Sequence, residues 1–71
     1  MYKQCELRNV KTGGKHVAWI KSELAVLGKQ VEFTDEEGIF KVEAVAYTEL
    51  PWSVINERGQ DYKRTRKASD I

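Results

Sequence analysis

Two stretches near the middle of the chain alternate polar and apolar residues with the period of two that a pleated strand imposes. They are Gln30-Val31-Glu32-Phe33 and Ile39-Phe40-Lys41-Val42-Glu43-Ala44-Val45-Ala46-Tyr47. Between them lies Thr34-Asp35-Glu36-Glu37-Gly38, an acidic loop that water solvates and that Gly38 can turn, so the pair predicts a hairpin. In the second run Phe40, Val42 and Ala44 share one parity while Val45 and Tyr47 take the other. A strand that exchanges its buried face midway is expected to bend or bulge, as strands of small barrels do.

The N-terminal third repeats the pattern. Lys3-Gln4-Cys5-Glu6-Leu7-Arg8 alternates, with Cys5 and Leu7 on one face, and His16-Val17-Ala18-Trp19-Ile20 is β-branched and aromatic. Lys11-Thr12-Gly13-Gly14-Lys15 between them supplies glycines for a hairpin loop. Ser22 is placed to cap a short helical turn over Glu23-Leu24-Ala25-Val26-Leu27, closed by Gly28. Pro51 disfavours helix at Leu50 and suits the start of a helix through Trp52-Ser53-Val54-Ile55-Asn56-Glu57-Arg58, with Trp52 and Ile55 on one side.

These elements predict a mainly β (α+β) fold, a small SH3-like barrel or curled antiparallel sheet of about four strands with a short helical connector and a C-terminal helix or tail. The expected core is Leu7, Val17, Trp19, Leu24, Val31, Phe33, Phe40, Val42 and Trp52. Residues 1–58 form the predicted domain and 59–71 a basic tail, partly helical or mobile. A chain of 71 residues supports one domain.

One cysteine, Cys5, and one histidine, His16, exclude an internal disulfide and a zinc set. Stability must then come from packing. The same scarcity argues against an enzyme, since Cys5 and His16 lack an orienting third group. Gly13-Gly14-Lys15-His16 has His16 where a phosphate loop places the hydroxyl that holds magnesium. Asp35, Glu36 and Glu37 lack the alternating ligands of a calcium loop and read as a solvated tip. Trp19, Trp52 and Tyr47 either line an aromatic groove or sit in the core. No catalytic residue, cofactor or metal is expected. With neither a secretory signal nor a run of about 20 apolar residues, the expected location is the cytoplasm.

Charge is uneven along the chain. Residues 1–56 hold seven Lys/Arg against eight Asp/Glu, and residues 57–71 hold five against three. Tyr62, Lys63, Arg64, Arg66 and Lys67 are therefore the candidate partner-binding residues, with arginine forks suited to carboxylate or phosphate and Tyr62 suited to stacking on a base. Arg66-Lys67-Ala68-Ser69 also matches a basophilic kinase site, a pattern too common to carry weight.

Trp19-Ile20 ahead of a short turn, Gly28-Lys29 opening a strand, the acidic hairpin ending at Gly38 and the closing run Asp61-Tyr62-Lys63-Arg64-Thr65-Arg66-Lys67-Ala68-Ser69-Asp70-Ile71 together resemble small uncharacterised proteins encoded by bacteriophages. The resemblance covers most of the chain. It implies an accessory role in host cytoplasm, exercised by binding a host macromolecule, and carries over no functional residue. The first expectation is thus a non-enzymatic module that docks on a protein partner through the tail. The alternatives are a nucleic-acid-binding protein using the same cluster and a protein that self-associates through an open sheet edge. Oligomeric state does not follow from the sequence.

Overall fold

Each alternating run becomes a strand in the computed structural model, which describes residues 1–57 and 68–71. Strand β1 is Tyr2–Asn9, β2 Lys15–Lys21, β3 Gln30–Phe33, β4 Glu36–Leu50 and β5 Ala68–Asp70, with a 3-10 turn at Ser22–Leu24 and a helix, α1, at Trp52–Glu57. All pairings are antiparallel and build one open five-stranded sheet in the order β2-β1-β4-β3-β5. Mainly β structure with little helix agrees with the expected class.

The β1–β2 register is unbroken from Tyr2↔Lys21 to Arg8↔Lys15, so alternation assigns two clean faces. Cys5, Leu7, Ala18 and Ile20 face inward and join Ala25, Val31, Phe33, Phe40 and Val42 in the main core, where Phe33 and Phe40 meet edge to face at 5.0 Å. Burying a side chain of this size contributes roughly 1.5–3 kcal/mol, which explains how a short chain without staples holds together.

Strand β4 carries the curvature. Its pairing with β1 shifts between Leu7↔Val42 and Glu6↔Ala44, inserting one residue and switching the inward set from Phe40 and Val42 to Val45. That is the expected bulge. A second irregularity lies opposite Lys3–Cys5, and a third at the β3 end, where Phe33 pairs with Glu36 and Glu32 with Ile39. The turn is therefore only Thr34-Asp35, and Gly38 lies in a bulge of β4 instead of the hairpin loop.

Several expectations are corrected. Val17 and Trp52 are 46% and 42% exposed and do not belong to the core, and Leu24 is only partly buried. Val17 shares the outer face with Trp19, but of the two only Trp19 is buried, and Ile55 of α1 is buried as well. The helix is six residues long and covers only part of the outer face. Ser22 caps nothing: its Oγ is buried with no partner among the described residues. Pro51 does open α1, its carbonyl accepting from the Val54 and Ile55 amides at 3.1 and 3.3 Å. At the C-terminus, Ala68–Asp70, expected in a partly helical or mobile tail, form β5 along β3, with Lys29 Nζ donating to Asp70 Oδ2 at 3.0 Å. A fifth strand adds to the four expected because β3 has unpaired N–H and C=O groups along its free edge, and Ala68–Asp70 pair with them. Among the described residues no helix is long and apolar enough to cross a membrane.

Candidate ligand-binding face

The outward positions of β1 are Tyr2, Gln4, Glu6 and Arg8, and those of β2 are Lys15, Val17, Trp19 and Lys21. Arg8 pairs directly with Lys15 on one side and with Lys41 on the other, and Lys41 pairs in turn with Gln30. Three cations thus form one row across β2, β1 and β4. With adjacent strands about 4.7–4.9 Å apart, the row spans about 10 Å. All three side chains are exposed.

Two of the three have a carboxylate. Arg8 Nη2 stands 2.7 Å from Glu43 Oε2, and Lys15 Nζ 3.5 Å from Glu6 Oε1. Glu43 reaches Arg8 because the bulge inserts it beside Val42. Lys41 has no carboxylate within ion-pair distance among the described residues, and neither has Lys21 at the far end of the face.

That far end is aromatic. Tyr2 pairs with Lys21, and its ring lies 5.9 Å from that of Trp52, tilted by 48°. Between the cation row and this ring pair lies a shallow hollow lined by Gln4, Glu6, Val17, Ala44, Val45 and Ala46, low because the alanines add little height. Of the two readings of Trp19, Trp52 and Tyr47, the groove is not formed and burial holds for Trp19 alone, since Trp19 is 3% exposed while Tyr47 stands wholly in solvent. The Trp19 indole N–H is buried without an acceptor among the described residues.

The other motifs have structural explanations. The Cys5 thiol is buried, donates to the Lys3 carbonyl at 3.8 Å and is pushed up to about 11 by desolvation, which Lys3 offsets only in part. It stays protonated at neutral pH and is no nucleophile. His16 edges onto Phe40 at 5.2 Å, with Nε2 3.7 Å from Glu36 Oε2. In the Gly13-Gly14 loop, Asn9 Oδ1 accepts from the Lys11 and Thr12 amides at 2.9 and 3.0 Å, so the loop's amides serve the turn. Asp35, Glu36 and Glu37 line a depression at the β3–β4 tip, and among the described residues no three potential metal ligands gather.

The candidate residues Tyr62, Lys63, Arg64, Arg66 and Lys67 lie outside the described residues. The cation row went unrecognised in the sequence because its members are brought together only by register. Arg8 and Lys41 were signalled only as polar positions of alternating strands, and Lys15 was read as part of the hairpin loop although it opens β2. Compared with known proteins, the chain matches no family model, no curated protein and no solved structure.

Proposed function

We propose that the chain is a small non-enzymatic binding module and that nucleic acid is the partner the geometry favours. The observation that carries this reading is the row Lys15, Arg8 and Lys41. Like charges directly opposite one another destabilise a sheet; Glu6 and Glu43 offset Lys15 and Arg8, and Lys41 is left exposed with no carboxylate within ion-pair distance among the described residues. The acidic remainder of the chain is the main objection to a polyanion, and five of its eight carboxylates in residues 1–56 can be placed. Three carboxylates sit at the β3–β4 tip, and Glu6 and Glu43 are held in ion pairs. The segment Lys63-Arg64-Thr65-Arg66-Lys67 adds four cations to the same chain.

We also read the curled sheet as a small SH3-like barrel. The contact of β5 with the Ser22–Leu24 turn, which follows β2 directly, supports this by bringing the two ends of the strand order together. The bacteriophage resemblance places such a module in host cytoplasm as an accessory protein. A protein partner, docked through the basic segment, is the second reading. It is favoured by the reach of β4 beyond β3, where residues 44–49 are largely exposed and Tyr47 wholly so, an edge that an extended partner chain or a second copy can pair with.

Fluorescence anisotropy of labelled single- and double-stranded DNA at two salt concentrations tests the reading. Binding that weakens with salt, by a log–log slope of about 0.7 per phosphate contacted on a single strand, is expected. No binding at low salt removes nucleic acid and leaves the protein partner, for which loss of capture by an Arg64→Ala/Arg66→Ala variant with an unchanged melt is the expected result.

A further inference from the structure

Resting on the nucleic-acid reading, we infer that the outer face of the β2-β1-β4 sheet is itself the site. There it takes a few nucleotides of single-stranded nucleic acid, with phosphates on the Lys15–Arg8–Lys41 row and a base against the Trp52–Tyr2 rings.

Two separate features of one face lead to this assignment. At one end is a row of cations in which Lys41 has no carboxylate within ion-pair distance among the described residues, beside Arg8, whose exposed guanidinium is shared with Glu43. At the other end an indole that is 42% exposed stands against a phenol ring, with Lys21 paired beside it. Arg8 and Tyr2 are six residues apart on the same strand face, roughly 20 Å at about 3.3 Å per residue. A cationic track joined to an aromatic platform is the chemistry by which proteins hold single strands, because every unpaired base has a face to stack and every linkage carries a charge.

The floor between the two ends suits the same occupant. Gln4 offers an amide, Val17 an apolar patch, and Ala44 and Ala46 leave height for a sugar or base. Glu6 and Glu43 oppose an anion and each holds one cation of the row, so Lys41 is the charge of the row that no carboxylate among the described residues offsets, and a phosphate on Lys15 or Arg8 competes with those ion pairs. A duplex is the poorer fit: its bases are already stacked on one another, and α1, at six residues the longest helix among the described residues, is short for reading a groove.

The two tryptophans give a direct readout. Trp19 is 3% exposed and Trp52 42%, so a base arriving on the platform changes the emission of Trp52 alone. The full-length protein is titrated with a fluorescein-labelled deoxythymidine decamer and with a duplex of equal length. Wild type is expected to prefer the single strand and to show quenched tryptophan emission. Trp52→Ala is expected to weaken binding on the order of tenfold. Trp52→Phe, which keeps a ring, recovers most of that loss. Lys41→Glu is expected to lower the salt slope by about 0.7 or more.

If wild type binds but Trp52→Ala and Lys41→Glu bind like wild type while Arg64→Ala/Arg66→Ala does not, the site is the basic segment and this inference is overturned, although the nucleic-acid reading stands. Equal affinity for duplex, indifferent to Trp52→Ala, overturns it as well. If wild type binds neither probe at low salt, the underlying reading falls and the face assignment with it.

Discussion

Asn9 is the one buried polar residue among those described, and its side chain serves two parts of the fold at once. Its Oδ1 closes the β1–β2 turn by accepting two amides, replacing hydrogen bonds that strand pairing no longer supplies there. Its Nδ2 lies against Gly38, in the β4 bulge. A methyl group on Gly38 would stand 2.8 Å from that nitrogen, and Gly38 has a φ of 116°, which side chains rarely adopt. Gly38→Ala is therefore expected to destabilise the protein by about 1–3 kcal/mol, read as a lower urea midpoint with an unchanged slope. An unchanged midpoint would mean that neither the contact nor the backbone conformation is as described.

Among the elements, β4 decides the shape. With 15 residues it pairs with β1 over most of its length and with β3 over only the first part, and its bulges let one strand serve a curled sheet. The bend was legible in the sequence as a parity change, but it was read after Ala44, whereas the bulge falls at Glu43 and leaves Ala44 and Tyr47 exposed. Strand β5 was not legible. Ala68-Ser69-Asp70 has no alternation and little strand preference, and it becomes a strand because β3 offers an edge to pair with. Pattern reading detects what a segment prefers, whereas β5 records what a neighbour requires. The helix at Pro51 was legible from the proline, but its burial was misassigned: Ile55 is buried, while Trp52, three residues away, stands near the rim. A chain ending at Lys67 is expected to lose on the order of 1–3 kcal/mol, the worth of a few strand hydrogen bonds, with faster amide exchange confined mainly to β3. Unaltered exchange in β3 would contradict the pairing.

At the scale of the molecule, charge is unevenly placed, although Glu6 and Glu43 stand within the cation row and hold Lys15 and Arg8. Acidic side chains crowd the β3–β4 tip, a cation row crosses the outer face, and residues 58–67 contribute five basic side chains against one acidic. In the sequence the near-neutral total conceals this, and only the basic run near the C-terminus stands out. The row on the face needs three strands in register before it exists, which is why alternation placed Arg8 and Lys41 outward without showing that they met, and left Lys15 in a loop. The central claim, that this outer face and not the chain at large receives the ligand, is tested most directly by mapping ¹H–¹⁵N shifts of the labelled protein during titration with a deoxythymidine decamer. The account predicts that shifts concentrate on Tyr2, Arg8, Lys15, Lys41 and the Trp52 indole, leaving Asp35 to Glu37 and the inward-facing core unmoved. Shifts confined to residues 58–67, with the sheet silent, would contradict it.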